Sequence, residues 1–227
     1  MNFIKKLLRS SKADTLPDEW LWIEDHWNKI PDKKTSLAEV PFYIIDLELT
    51  GLDPEQDRIV SLTSIPVQNH QIYTDRLLSI YIEQEFYRQE TIAIHEILPG
   101  ENIKSPISEA EAFQRFLKFT GVGVWVFHGA DLDFNFLKAA ANRHGLSGLK
   151  NPVIDTLKLL PRAIDFYRNP DQLPQGSMKL DQICQHLNIP HHDHHTAEGD
   201  ALATAILFTE LLSKLRKRGN KTLKDLM

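Results

Sequence analysis

The segment Phe42–Leu49 is apolar at almost every position, and only Asp46 and Glu48 interrupt it. Such a run of branched and aromatic residues is typical of a β-strand. Residues 58–67 and 72–82 follow and are also rich in β-branched and apolar side chains. The sequence therefore predicts three successive strands at the beginning of a β-sheet.

The pattern changes after these strands to an alternation of helices and strands. Ser108 and Glu111 form a capping box that predicts a helix over residues 108–119. Further strands are predicted at residues 122–128 and 152–155, and further helices at residues 133–142, 156–163, 179–187 and 197–217. This order predicts an α/β fold, with a mixed sheet of about five strands, the first three a meander, and helices on its faces.

The two ends of the chain differ from this central domain, which we assign to residues 41–217. Residues 1–40 are predicted to form a helical extension, because apolar residues recur at steps of four and three at Leu16, Trp20, Ile23, Trp27 and Ile30. This stripe either packs on the central domain or binds a partner. Residues 218–227 are predicted to form a basic tail, and the cations at Lys214, Arg216, Lys217 and Arg218 are predicted to form a solvated helix end that favours the helix dipole.

Composition excludes several classes of protein. Cys184 is the only cysteine, so the chain has neither an intrachain disulfide nor a thiolate zinc cluster. A net charge of −5 argues against a protein that coats long nucleic acid, but an enzyme that grips a few terminal nucleotides needs few basic residues. No secretory signal or membrane-spanning run is evident, so we expect a soluble, cytoplasmic protein.

Asp46 and Glu48 are the first candidate functional residues. Alternate residues of a strand share a face, so both carboxylates point the same way while Leu47 points into the opposite layer. Two like charges in an apolar strand cost free energy. Basic side chains or a divalent cation could compensate them, and a pair at the end of a strand could also simply face solvent.

Other candidates follow later in the chain. Asp131 and Asp133 fall where a strand gives way to a helix, and complementing the helix dipole is an ordinary explanation for both. Asp200 lies on an alanine-rich helix that can pack closely against another element. The histidines between positions 191 and 195 have the irregular spacing of a solvated loop more than that of a soft-metal site.

Three segments, DLELTGL, HGADLDFNFL and HTAEGDALATA, occur in the order and at the separations of the exonuclease motifs of the DEDDh family. The sequence resembles these 3′→5′ exonucleases over residues 41–217, and the resemblance includes residues 154–157 and 180–184. It is similar to the proofreading subunit of bacterial DNA polymerase III and its relatives. The resemblance implies a ribonuclease H-like fold and a metal-dependent nuclease that acts on the 3′ end of single-stranded DNA.

The resemblance also implies roles for individual residues. Two divalent cations, Mg²⁺ or Mn²⁺, are expected to bind to four carboxylates, those of Asp46, Glu48, Asp133 and Asp200. His195 is expected to act as the general base, a role that suits histidine near neutral pH. Residues expected to contact the substrate are Thr50, Gly51, Leu52 and His128.

Some positions depart from the family pattern, and two alternatives remain open. Gly129 stands where Asn is common, Leu132 replaces a common aromatic residue, and Ser61 stands where an acid is frequent; these differences concern substrate fit. Residues 46–59 also resemble exoribonucleases of the oligoribonuclease type. The third possibility is a catalytically idle module that binds nucleic acid or, through the N-terminal helix, a polymerase or repair partner.

Overall fold

The computed structural model of the protein describes residues 16–84 and 105–227. Its six strands are β1 Phe42–Leu49, β2 Ile59–Gln68, β3 Gln71–Ile72, β4 Leu78–Tyr81, β5 Val124–Phe127 and β6 Val153–Asp155. They form one sheet in the order β3-β2-β1-β5-β6, and β4 also pairs with β2. The β1–β2 pair is antiparallel, whereas β1–β5 and β5–β6 are parallel, which confirms the predicted mixed sheet.

Helices cover both faces of this sheet. They are α1 Trp22–Trp27, α2 Glu109–Thr120, α3 Ala130–Arg143, α4 Thr156–Ala163, α5 Leu180–Leu187 and α6 Ala197–Lys217. Short 3₁₀ helices occur at Asp18–Trp20, Thr74–Arg76, Asp165–Tyr167, Pro170–Gln172 and Leu223–Asp225. Among residues 16–84 and 105–227, no helix is long and apolar enough to span a bilayer.

The prediction of a single strand over residues 72–82 is wrong. This segment is divided into β3 and β4 by the 3₁₀ helix Thr74–Arg76, and residues 73–77 lie opposite only Ile65 and Pro66 of β2. Pro66 has no N–H group to donate to a neighbouring strand. The chain therefore loops outward at this point before pairing resumes.

The two faces of the sheet pack against different helices. Phe42 and Ile44 of β1 belong to one apolar cluster with α6, where the rings of Phe42 and Phe208 lie 4.9 Å apart. Ile45 and Leu47 belong to a second cluster with α2 and α3. Leu47 thus occupies the layer opposite Asp46 and Glu48, as the period of a strand predicts.

The N-terminal extension packs on its own domain in the part that the structure describes; residues 1–15 lie outside it. Trp20, Ile23 and Trp27 are buried in the cluster formed with α2 and α3. Trp20 Nε1 also donates a hydrogen bond to the carbonyl of His144, at 2.7 Å. This apolar stripe is covered within the chain, as the first of the two interpretations predicts, and a partner-binding role for the extension stays a prediction.

The basic residues at the end of α6, Arg216, Lys217 and Arg218, are exposed as predicted, but the tail that follows them packs on the domain. Leu223 and Leu226 are buried in the apolar cluster under α6. The backbone N–H of Leu223 donates to Thr35 O and that of Leu37 donates to Lys221 O, both at 3.0 Å. Two leucines among the lysines give this segment an apolar face, and it closes over the linker that precedes β1.

Replacing Leu223 with alanine should therefore destabilise the protein by about 2–5 kcal/mol, because a fully buried leucine leaves a cavity when it is truncated. Urea unfolding followed by circular dichroism measures this change. Met227→Ala, at an exposed position of the same segment, is the matched control and should be nearly neutral. Equal stability of the two variants would contradict the packing of this segment.

Candidate active site

The carboxyl ends of three parallel strands meet at one edge of the sheet. Here β1 ends beyond Glu48, β5 leads through Gly129 into α3, and β6 ends at Asp155. In open α/β sheets, ligands bind at this edge because the loops that follow the strands converge there. The first turn of α6, which crosses the same face as Phe42 and Ile44, adds further polar side chains.

Three of the predicted metal ligands converge at this edge. Carboxylate oxygens of Asp46, Glu48 and Asp200 all lie within 4.8 Å of one another. Asp200 comes from the first turn of α6, and Ala201 and Ala205 let that helix lie close to the sheet. Asp133, in the first turn of α3, is buried and close enough for its charge to affect Asp46.

The electrostatics of these acids favour the binding of cations. Burial raises the pKa of Asp46 well above its ordinary value, and the charges of Asp133 and Asp200 raise it further. Burial and the charge of Asp200 raise the pKa of Glu48 to about 8. Burial and then Asp155 raise the pKa of Asp133 to about 8. Such a set of hard oxygen donors fits divalent cations, which offset the repulsion.

Asp155 fixes the turn that carries Asp133. Its carboxylate accepts hydrogen bonds from the N–H groups of Gly129 and Ala130, at 3.0 and 3.2 Å, and from that of Leu157 at 2.9 Å. Gly129 adopts a φ of +81°, which glycine reaches without a steric penalty. For these reasons α3 begins at Ala130, earlier than the predicted residue 133.

Glu198 is a fifth acid that the sequence did not single out. It lies two residues before Asp200, and its Oε1 accepts hydrogen bonds from the hydroxyls of Ser79 and Tyr81 on β4. Its charge also raises the pKa of Glu48. The only signal in the sequence was its position in the same helical turn as Asp200.

The turn after β1 is a tightly packed structure. A Cβ at Gly51 would lie 2.2 Å from Asp57 Oδ2, so a larger residue there would displace the buried Asp57 carboxylate. The hydroxyl of Thr50 accepts from the N–H of Arg58 at 2.9 Å, and Thr50 is buried. Leu52 is 74% exposed at the rim of the turn. Substrate contact by Thr50, Gly51 and Leu52 stays a prediction, and Leu52 is the most accessible of the three.

His128 is held by the protein through both ring nitrogens. Nδ1 lies 2.8 Å from Thr156 Oγ1, and Nε2 lies 3.1 Å from the carbonyl oxygen of Met178. Burial lowers the pKa of His128. These contacts tie β5 to α4 and to the loop before α5, and substrate contact by His128 stays a prediction.

The predicted base, His195, lies on the exposed loop just before α6. Its φ of +59° is in the left-handed region, which is uncommon for residues other than glycine. Another histidine of the same loop, His191, contacts the acidic cluster: its Nε2 lies 2.6 Å from Asp200 Oδ1. The sequence did not predict this contact.

The raised pKa values predict how the stability of the metal-free protein depends on pH. The Glu48 carboxyl releases its proton at about 4.5 when unfolded and at about 8 when folded. Between these values the folded state holds more protons, so the free energy of unfolding should fall as pH rises, by up to about 1.4 kcal/mol per pH unit. Urea unfolding in a chelator at pH 5, 6.5 and 8 measures the slope.

The matched variant Glu48→Gln removes this titration and should make the pH dependence less steep between pH 5 and 8, while Asp46 and Asp133, whose pKa values are also raised, keep part of the slope. Adding Mn²⁺ at pH 8 should stabilise the wild type more than the variant, because the cation binds the ionised carboxylates. A wild-type slope no steeper than that of Glu48→Gln would contradict the proximity of these acids.

The sequence of the chain has relatives among known proteins. The RNase T exonuclease family model matches residues 43–208. The PolC-type DNA polymerase III of Caldanaerobacter subterraneus subsp. tengcongensis is 27% identical over 210 residues, 92% of this chain but 14% of that polymerase. The PolC-type enzyme of Oceanobacillus iheyensis is 29% identical over 180 residues, 79% of this chain and 12% of that polymerase. The chain thus spans a small part of these relatives.

Solved structures agree in fold. Exonuclease I of E. coli in complex with a dT13 oligonucleotide has a TM-score of 0.67 at 16% identity, covering 79% of this chain and 42% of that chain. Exonuclease I from Methylocaldum szegediense has a TM-score of 0.63 at 19% identity, covering 78% and 41%. These likenesses concern the fold, which is ribonuclease H-like. Because the exonuclease family model matches residues 43–208, most of the chain's length, the chain belongs to that exonuclease family.

Proposed function

We propose that this chain removes nucleoside monophosphates one at a time from the 3′ end of single-stranded DNA. The observation that carries the proposal is the convergence of Asp46, Glu48 and Asp200, with Asp133 nearby, at the carboxyl edge of the sheet. We favour DNA over RNA as the substrate because the relatives whose matches cover 92% and 79% of this chain are DNA polymerases.

The four carboxylates would hold two divalent cations, Mg²⁺ or Mn²⁺, and their raised pKa values support this role. When bound, such ions supply positive charge that favours formation of hydroxide and offsets charge on the departing 3′ oxygen. Asp155 and Gly129 hold Asp133 in position, and the close packing of α6 holds Asp200.

The proton of the attacking water would pass to His195. This residue precedes α6 on an exposed loop, so it can approach the acids from the solvent side. Leu52, on the turn after β1, is exposed and would pack against the terminal base.

A panel of end-labelled oligonucleotides tests the proposal. With Mg²⁺ or Mn²⁺, a 5′-labelled deoxyribose single strand should shorten stepwise from its 3′ end, whereas the same strand with a blocked 3′ end should persist. Degradation of the blocked strand at an equal rate, or none of the free strand, would contradict the proposed activity.

A matched ribose strand in the same panel separates the two nuclease alternatives. The 2′-hydroxyl is the group that lets a protein tell RNA from DNA at a site. Faster shortening of the ribose strand would assign the chain to the exoribonuclease alternative. Calorimetric titration with Mn²⁺ distinguishes the two nucleases from an idle binding module. The nucleases should bind the cation, whereas the idle module does not need it.

A further inference from the structure

A second group of metal-ligating side chains lies beside the four carboxylates. It consists of Asp181, at the start of α5, and of His191 and His194 on the loop before α6. One possible ligand atom from each of the three lies within 4.8 Å of the others. The Nδ1 atoms of His191 and His194 lie 3.0 and 2.9 Å from the same oxygen, Asp181 Oδ1.

His191 is the buried member of this group, with 4% of its side chain exposed. Its Nε2 lies 2.6 Å from Asp200 Oδ1, so the N–H donated there leaves a lone pair on Nδ1 when the imidazole is neutral. The 3.0 Å contact between Nδ1 and Asp181 Oδ1 does not have the geometry of a hydrogen bond, so Nδ1 has no hydrogen-bond partner among the described residues. A buried ring nitrogen without a hydrogen-bond partner is costly, and a metal cation held between Nδ1 and the Asp181 carboxylate would compensate both groups.

We propose that Asp181, His191 and His194 form a separate metal site that binds Zn²⁺. Two imidazole nitrogens and one carboxylate oxygen suit Zn²⁺, whereas the oxygen-only set at the carboxyl edge of the sheet suits Mg²⁺ or Mn²⁺. A histidine that binds a metal usually donates its other N–H to a carboxylate, and His191 already does so to Asp200. Three protein ligands leave one position of a tetrahedral ion open.

The backbone of the loop keeps its histidines beside α5. The carbonyl oxygen of Asp193 lies against the first turn of α6, where a Cβ at Gly199 would be 2.2 Å from it. The hydroxyl of Thr196 donates to this carbonyl at 2.7 Å and accepts from the N–H of Gly199 at 3.1 Å. The site is therefore built before any metal binds.

Calorimetric titration of Zn²⁺ into the full chain tests the proposal, with excess Mg²⁺ present to occupy the carboxylate centre. We expect one Zn²⁺ per chain in the wild type. His194→Ala removes a ligand whose side chain is 49% exposed, so the variant should fold, and it should bind Zn²⁺ at least about tenfold more weakly. His192→Ala, at an exposed position of the same loop, should bind as the wild type does.

Co²⁺ in place of Zn²⁺ gives an independent reading, because its visible absorption reports the coordination geometry. The wild type and His192→Ala should show the bands of a four-coordinate ion, and His194→Ala should lack them. No Zn²⁺ binding by the wild type, or equal binding by His194→Ala and the wild type, would overturn the proposal.

The test is separable from that of the nuclease activity. Asp46→Asn disrupts the carboxylate centre but leaves Asp181, His191 and His194 intact, so this variant should still bind one Zn²⁺ with the affinity of the wild type. Loss of Zn²⁺ binding in Asp46→Asn would assign the ion to the carboxylate centre and refute a separate site. An inactive wild type that still binds Zn²⁺ would refute only the proposed nuclease function.

Discussion

Replacing Asp46 with asparagine should reduce the release of nucleotides from a 3′ end by at least about 10³-fold, since the charge stabilisation that a metal centre provides is worth several kcal/mol. Asp46 is the acid whose pKa is affected by the most neighbours: Asp133, Asp200, Glu48 and Glu198 all raise it. It therefore lies centrally among the ligands. The shortening of a 5′-labelled DNA strand with Mn²⁺ measures the loss.

The control for this variant is Asp131→Asn. Asp131 is exposed in the first turn of α3, two residues before Asp133, and it should be dispensable because it does no more than complement the helix dipole. Asp46→Asn should also be at least as stable as the wild type at pH 8 without metal, since it removes a repelled charge. An active Asp46→Asn enzyme would refute the proposed centre, and a destabilised one would point to a structural role instead.

The features of the fold that depend on local pattern could be predicted from the sequence. The two-residue period of a strand correctly placed Asp46 and Glu48 on the face opposite Leu47, because successive side chains of a strand point to opposite faces. Helices α4 and α6 have the predicted bounds, since capping side chains begin both: Asp155 accepts from Leu157 N, and Thr196 from Gly199 N.

The features that were missed depend on contacts between distant parts of the chain. The start of α3 is set by the carboxylate of Asp155, some 25 residues later. The division between β3 and β4 depends on the neighbouring strand β2, because pairing stops opposite Ile65 and Pro66. Glu198 joins the site through Ser79, which is 119 residues away in the sequence. No periodicity within a single segment encodes such contacts.

The same limit applies to the histidine loop. The irregular spacing of the histidines between positions 191 and 195 predicted a solvated loop. His192 and His194 are exposed as predicted, whereas the side chain of His191 is buried. His191 is buried because α5 presents Asp181 and α6 presents Asp200 on either side of it. A residue's neighbours in space, rather than its spacing in the chain, decide which histidine is buried.

Replacing His195 with glycine should lower kcat by about 10²–10⁴-fold with little change in KM, because general-base catalysis contributes this much to a hydrolysis. Glycine suits the φ of +59° at this position, so the backbone of the loop should be retained. Steady-state release of nucleotides from a labelled DNA strand, with Mg²⁺ present, measures both constants.

Added imidazole distinguishes a base from a structural residue at position 195. The ring of His195 is exposed, so a free imidazole should enter the space left by His195→Gly and partly restore kcat. The matched variant His192→Gly, in the same loop, should keep the wild-type rate and show no response to imidazole. His191 contacts Asp200 directly, so its removal would affect how that carboxylate is held rather than proton transfer. Full activity in His195→Gly would refute its assignment as base, and a loss that imidazole does not restore, accompanied by lower thermal stability, would assign His195 to holding the loop.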